Sequence, residues 1–456
     1  MANKLIAAFG RHVVQTSIVD EYRGSFAIGS NSNTLSDQDR AVYEKGVKAL
    51  NEAASANKPT CEEAFRTAFN ATPARLDVSG NTYEDAGSHH LTREQQDFFA
   101  TYGVLPPISL DAVSSELLDS VDRLCCGLVT HGSGLNGVSS TPAWIFDRDL
   151  LTLATHPQIV EKVSSLIGDQ ITFLGSDGPM FLPPNTTQKT AWHAFDASHF
   201  GGGGSDGNLQ QVTTWVALSD ATTANGCMRI APGTYRAFAA LNEVTPKFYG
   251  ADVSELIALF VKNDNKIDPA IAARILCRHL NDKNFPELMR LGSSKDSPEG
   301  YRYNPFHAAV DKAWCLGERD IAVLDEGPKV VMEAKRKQAY FFTSQNAHAS
   351  LMNTTNGWRK AIAFRYVKTA KASKSIITQA THRLRGYLDM FPGTKDVLKA
   401  VNRSVDIFED AAPRLCVRGN IPAGQEQFYF DQKLLLSELA KKGGSCLPRI
   451  EPLPAE

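Results

Sequence analysis

Gln211-Val-Thr-Thr-Trp-Val-Ala-Leu218, the turn Asp220-Ala-Thr-Thr-Ala-Asn-Gly226 and Cys227-Met-Arg-Ile-Ala231 decide the fold class of this chain. Two short runs rich in β-branched, aromatic and apolar residues flank a cluster of Asp, Thr, Asn and Gly. That is the pattern of two strands joined by a turn, because branched side chains suit the pleat while Asn-Gly accepts tight backbone angles. Similar runs lie upstream, at Ile171-Thr-Phe-Leu174 and Met180-Phe-Leu182. Others lie downstream, at Ile321-Ala-Val-Leu324, Lys329-Val-Val-Met332, Ala339-Tyr-Phe-Phe-Thr343 and Lys360-Ala-Ile-Ala-Phe-Arg-Tyr-Val367. Short strands at this spacing predict a β-sandwich or barrel. Neither group has enough strands to close alone, and the text between them, at about 236–318, is helical. It contains Ser254-Glu-Leu-Ile-Ala-Leu-Phe-Val261, Asp268-Pro-Ala-Ile-Ala-Ala-Arg-Ile-Leu276 with proline at the first helical position, and Pro286-Glu-Leu-Met-Arg-Leu291. The simplest architecture is one mainly β domain with flanking helices and a helical insertion.

Outward from this core, Leu91-Thr-Arg-Glu-Gln-Gln-Asp-Phe-Phe-Ala-Thr-Tyr-Gly103 carries helix start and stop signals. Thr92 and Gln95 fit a capping box, and Gly103 fits a C-terminal stop. Val113, Leu117, Leu118, Val121, Leu124 and Leu128 keep helical spacing, so 91–130 reads as helices beside the strands. Ser36 caps a further helical pattern through Val42, Val47 and Leu50, and 1–90 reads as a helical N-terminal extension. The domain proper is expected over 91–370. Residues 371–456 form a mixed C-terminal extension, with helices near 394–402 and 431–441.

Composition excludes several classes of function. The 456 residues are 43% apolar and 21% charged, as a folded chain requires. Forty-eight Lys and Arg against fifty Asp and Glu leave a net charge of -2, with no run of five like charges. Nucleic acid and membrane surfaces therefore have no electrostatic footing. No window approaches the roughly eighteen apolar residues of a membrane span, and the apolar run near the N-terminus is shorter than a secretory core. Eight scattered cysteines without a CxxC pair read as reduced thiols. The expectation is a cytoplasmic protein whose partner is a small molecule.

Two segments could carry chemistry: Thr190-Ala-Trp-His193-Ala-Phe-Asp196-Ala-Ser-His199, and Phe342-Thr-Ser-Gln-Asn-Ala-His348-Ala-Ser350 followed by Asn353 and Arg359. The Trp-His pair leads to the strand at 211–218, the Asn-Gly-Cys turn at 225–227 and the Pro-Gly turn at 232–233. With His348 and Arg359 eleven residues later, the chain resembles the phytanoyl-CoA dioxygenase family of Fe(II)/2-oxoglutarate oxygenases. The resemblance covers about 91–370 and is strongest at 190–235 and 340–367.

That resemblance implies a double-stranded β-helix (jelly-roll, cupin-like) holding Fe(II) through His193, His348 and a carboxylate, for which Asp196 is the candidate. Three protein ligands leave three positions open, two for the 2-oxoglutarate ketoacid and one for O₂. Arg359 would take the far carboxylate of 2-oxoglutarate, where a planar fork suits it, with Ser350 and Asn353 in the same cosubstrate site. The implied reaction oxidises an unactivated C–H bond of a small or medium-sized metabolite and converts 2-oxoglutarate to succinate and CO₂.

The sequence departs from the family at one place. The usual proximal motif is His-x-carboxylate, but Phe195 stands two residues after His193 and Asp196 three. In a regular strand Phe195 shares the face of His193 and Asp196 points away, so Asp196 ligates only where a bulge or strand end turns it inward. The glycines at 201–204 are compatible with a strand end. Other readings stay open: Asp206 as the carboxylate, a halogenase in which chloride takes the carboxylate's place beside Ala194, and a metal-free binding protein on the same fold. Arg365, six residues after Arg359, competes for the cosubstrate carboxylate. His199 and the pair His89-His90 receive no role, and Trp215 and Phe342 read as core.

Overall fold

A computed structural model describes residues 89–130, 142–177, 179–186, 192, 209–237, 329–343, 345–371, 378–408 and 413–454, with residues 36–42, 44, 45, 48 and 67. The expected helices of the 236–318 insertion, the strand expected at 321–324 and the glycines at 201–204 lie outside the described residues.

Described residues 37–42, 44, 45 and 48 are helical, and Ser36 Oγ accepts from the Asp39 amide at 3.2 Å. Beyond them come α1 (Arg93–Tyr102), β1 (Val104–Ser109) and α2 (Ser115–Thr130), followed by α3 (Arg148–Ala154), α4 (Pro157–Ile167) and β2 (Ile171–Asp177). Next come β3 (Gln211–Ala217), β4 (Met228–Ile230), β5 (Val330–Met332), β6 (Gln338–Phe342), β7 (His348–Ser350) and β8 (Ala361–Lys368). The chain closes with α5 (Thr378–Met390), α6 (Gly393–Ala400), β9 (Arg414–Arg418), β10 (Tyr429–Phe430) and α7 (Gln432–Lys441). The capping box forms as the residues predict: Thr92 Oγ1 accepts from the Gln95 amide at 3.2 Å, and Gln95 Oε1 from the Thr92 amide at 2.8 Å. Gly103 ends α1 with φ +67°, a left-handed conformation that suits glycine.

Among the described residues ten strands make two sheets. A seven-stranded mixed sheet runs β1-β6-β3-β8-β2-β9-β10, and a three-stranded sheet runs β5-β4-β7. All pairings are antiparallel except β9 with β10. The 91–130 segment was expected to be helical throughout, and it is not: β1 separates its two helices. Pro106 and Pro107 hide this strand in the sequence, since proline has no N–H for a ladder. They are accommodated because β1 is an edge strand whose pairing to β6 shifts between Leu105 and Ile108. Met180–Leu182, expected to be a strand, forms a single bridge from Leu182 to Arg359.

Alternation along the central strands gives the large sheet two different faces. Val212 and Val216 of β3, Phe341 of β6, and Ile362, Phe364 and Tyr366 of β8 join residues of α2, α3, α4, α5 and α7 in the larger apolar cluster. Each such buried side chain contributes on the order of 1.5–3 kcal/mol. The opposite face presents Trp215, Ala217, Tyr340, Phe342, Ala361 and Ala363, which pack against Met228 and Ile230 of β4 and Val330 and Met332 of β5. The C-terminal residues belong to the same body: β9 pairs with β2, Arg449 meets buried Asp147 at 2.6 Å, and the Trp358 amide donates to Pro454 O at 2.9 Å.

Candidate active site

The space between the two sheets collects the site. His348 opens β7 in register with Ile230, so its side chain shares the inward face of Ile230, and Ser350 shares that of Met228. His348 is 2% exposed, and its ring meets Phe342 edge-on at 4.9 Å. Nδ1 lies 2.8 Å from Asn346 O. A carbonyl only accepts, so Nδ1 carries the proton and Nε2 is left as the basic nitrogen, the arrangement usual for a metal-binding imidazole.

Asn346 is a site residue that the sequence reading passed over. Its amide donates to Tyr102 O at 2.8 Å and Gly103 O at 3.0 Å, and its Oδ1 accepts from the Tyr235 amide at 3.2 Å. The carbonyl that orients His348 is thereby fixed to the end of α1. A Cβ on Gly103 would stand 2.7 Å from Asn346 Nδ2, so the close approach and the positive φ both require glycine. The one available signal was Asn two residues before His, which says nothing without the fold.

On the facing sheet, Trp215 of β3 and Tyr340 of β6 are register partners whose rings stack at 4.7 Å and 16°. The Arg359 guanidinium lies 5.6 Å from the centre of the Trp215 ring. Trp215 and Phe342 are core residues, as the sequence predicts, and Trp215 is also the platform for this cation. Arg359 is 3% exposed and donates from Nη1 to Met180 O at 2.9 Å, and its Nε has no partner among the described residues. Trp215 Nε1 and the Tyr340 hydroxyl are also buried without partners among the described residues. Burial pushes the Arg359 guanidinium down to about 10, and lifts the Cys227 thiol to about 12 and the Tyr340 phenol well above its ordinary range. Both neighbours of the cation are therefore neutral at physiological pH, and neither can serve as its counter-ion. A buried cation lacking a carboxylate is costly, and here it sits beside two unused donors.

The other candidates divide. Arg365, on β8, is buried and already donates to Thr213 Oγ1 of β3, whereas Arg359, among the described residues, donates to a backbone carbonyl. Asn353 spends its amide on the loop before β8 and on Leu182 beside it: Nδ2 donates to Leu182 O at 3.2 Å and Gly357 O at 2.8 Å, and Oδ1 accepts from the Thr355 amide at 3.0 Å and hydroxyl at 2.8 Å. It shapes the turn that delivers Arg359. His193, Asp196, His199 and Asp206 lie outside the described residues. Trp192, directly before His193, is buried, with the Arg229 guanidinium of β4 at 4.7 Å from its ring. Among the described residues no three His, Cys, Asp or Glu side chains gather as a metal site. His90 Nε2 lies 3.4 Å from Glu161 Oε2. The described cysteines, 125, 126, 227, 416 and 446, are free thiols.

Residues 145–279 match the family model "Phytanoyl-CoA dioxygenase (PhyH)". That span includes Trp192, β3 and the Asn-Gly-Cys turn, and the family is the one that the motifs resemble. No curated protein matches. Similar solved structures include a non-heme monooxygenase, ThoJ, in a nickel complex, at 18% identity over 60% of this chain and 77% of that one, with a TM-score of 0.35. SnoK, a non-heme α-ketoglutarate-dependent carbocyclase of nogalamycin biosynthesis, is 17% identical over 61% and 85%, with a TM-score of 0.36. CytC3 with Fe(II) and α-ketoglutarate is 16% identical over 74% and 92%, with a TM-score of 0.36. Among the described residues no helix is long and apolar enough to cross a membrane.

Proposed function

We propose that this protein is an Fe(II)/2-oxoglutarate-dependent oxygenase built on a double-stranded β-helix, in which the seven-stranded and three-stranded sheets are the two walls. The observation that carries the reading is Arg359: a guanidinium buried between the sheets, laid over Trp215, with no carboxylate partner among the described residues. It fits the distal carboxylate of 2-oxoglutarate, since a planar fork binds such a group by charge-assisted hydrogen bonds. The family match over 145–279 supports the same class.

In this reading His348 ligates iron through Nε2, with Nδ1–H held by Asn346, and His193 and Asp196 complete the metal site. Ser350, on the face of His348, lines the cosubstrate pocket. Bound iron and 2-oxoglutarate would supply the oxidation of a substrate C–H bond with O₂, yielding succinate and CO₂. The protein's own work is to orient the imidazole, anchor the cosubstrate through Arg359, and keep water from the dry space around Trp215, Tyr340 and Phe342. The substrate is a small or medium-sized metabolite.

The test needs no knowledge of the substrate. Anaerobic titration of the purified protein with Fe(II) and 2-oxoglutarate should give a saturable visible charge-transfer band of the chelated ketoacid. Its absence from a folded protein would refute the reading and leave a metal-free binding protein.

A further inference from the structure

We propose that Gln211 binds the substrate, and that the group it holds is a carboxamide, an N–H beside a C=O. The inference rests on the oxygenase reading above and extends it to the class of molecule that is oxidised.

Position along β3 separates the two ends of the site. Gln211, Thr213, Trp215 and Ala217 share one face of the strand, and it is the inner one: Trp215 and Ala217 pack between the sheets, while Val212 and Val216 pack with the helices. Trp215 carries the Arg359 guanidinium. Thr213 is the register partner of Phe342, the ring that His348 meets edge-on, and its hydroxyl accepts from Arg365. Arg359 and Gln211 therefore lie to opposite sides of the level of His348, the strand carrying Trp215 and Gln211 each about 7 Å from Thr213. With 2-oxoglutarate anchored on the Trp215 side, the Gln211 side is left for the second molecule.

Gln211 is 1% exposed, and neither its Nε2 nor its Oε1 has a hydrogen-bond partner among the described residues. Its register partner on β8 is Val367, which packs with Leu174 of β2 and offers the amide nothing. The ladder between β3 and β6 ends at Thr213 and Phe342, so Gln211 stands beyond its last pair. The turn leaving that end of β6 carries Gln345, also 1% exposed, whose Oε1 likewise lacks a partner among the described residues. A dry amide idle at both ends costs free energy that leucine would not.

The idle atoms define what fits. Nε2 donates and Oε1 accepts, and turning the amide over exchanges them without satisfying either. A carboxylate only accepts and would leave Oε1 bare; an ammonium only donates and would leave Nε2 bare. A carboxamide edge answers both atoms at once, and the Gln345 oxygen adds an acceptor at the same end.

The experiment titrates the anaerobic Fe(II)–2-oxoglutarate complex with δ-valerolactam, N-methyl-δ-valerolactam and cyclohexanone, reading the rise in melting temperature with concentration. All three have a ring and a C=O, and only the first has the N–H. In wild type the lactam should saturate on the order of millimolar, within reach of a fragment of this size, and the other two should bind about tenfold more weakly. In Gln211→Leu the three should bind within about twofold of one another, with the 2-oxoglutarate midpoint unmoved and the ligand-free melting temperature unchanged or raised. Failure of the lactam to outbind its controls in wild type would overturn the proposal, as would a preference that survives Gln211→Leu. A weakened 2-oxoglutarate midpoint would move Gln211 to the cosubstrate, and lower melting of both Gln211→Leu and Gln211→Met would give its amide to the scaffold; either result overturns the assignment. A wild-type protein that gives no chelate band with 2-oxoglutarate fails at the earlier step and removes the oxygenase reading along with this one.

Discussion

Arg359 and Lys360 are neighbours in sequence, both buried, and they face opposite sides of the large sheet. Lys360 points toward the helices, where its ammonium meets Asp122 of α2 at 2.5 Å and Leu453 O at 2.9 Å. Arg359 points between the sheets, onto an indole and one carbonyl. Among the described residues one cation meets its anion and the other meets none. Two buried charges at adjacent positions thus separate what the chain needs for standing from what it keeps for a ligand, and mutation can test the separation.

The largest effect should fall on the satisfied pair. Asp122→Leu leaves the Lys360 ammonium buried and unpaired, and removing one partner of such a pair costs about 3–5 kcal/mol. Denaturant unfolding of the apo protein should show that loss, and Lys360→Met added to Asp122→Leu should restore most of it. If the single variant loses under about 1 kcal/mol, the pair is not dry and the contrast with Arg359 fails.

Arg359→Met is the mirror experiment. The apo protein should unfold at the same denaturant concentration or a higher one, because a methionine stem fills the space without a desolvated charge. Affinity for 2-oxoglutarate should fall by about 100-fold or more, read from the chelate band in the Fe(II) titration. A variant that binds 2-oxoglutarate normally would transfer the anchoring role to Arg365, which the sequence left as the competing candidate and which Thr213 already engages.

Asn346→Ala should act between fold and site. It removes both amide donors, while Tyr102 O and Gly103 O keep the amides of Gly233 and Thr343, and it frees the carbonyl that orients His348. Loss of such an outer partner typically costs 10- to 100-fold in metal affinity. Equilibrium titration with Fe(II) or a redox-inert divalent surrogate should show a weakening in that range, and an unchanged affinity would mean that His348 is held by its packing on Phe342 alone.

How much of this was legible beforehand follows the same division. Strands β2, β3, β4, β5, β6 and β8 were readable because β-branched and aromatic runs end at turn chemistry, and α1 because Thr92, Gln95 and Gly103 act locally. Strand β1 was missed because two prolines mask an edge strand, and β7, β9 and β10 because three, five and two residues carry too little pattern to be seen without their partners. The helix α5 went unread as well, its apolar positions being sparse among polar residues. Arg359 and His348 entered through a family resemblance. Tyr340 and Asn346 could not, because what singles them out is an unpartnered hydroxyl and a carbonyl 2.8 Å from an imidazole. Both are properties of tertiary packing.

The smallest effects sharpen the comparison within one helix, since the two ends of α1 serve different purposes. Thr92 closes the first turn and touches nothing between the sheets, so Thr92→Ala should cost about 1 kcal/mol of stability and leave Fe(II) and 2-oxoglutarate affinities alone. Gly103 closes the last turn against Asn346. Gly103→Ala should cost a similar 1–2 kcal/mol for the left-handed conformation, but its Cβ must also displace an amide that stands 2.7 Å away. That displacement passes through the Asn346 carbonyl to His348, so this variant alone should weaken Fe(II) binding, by less than Asn346→Ala does. Equal metal affinity in the two variants would show that the loop before β7 absorbs the shift, and that α1 supports the fold at both ends without reaching the site.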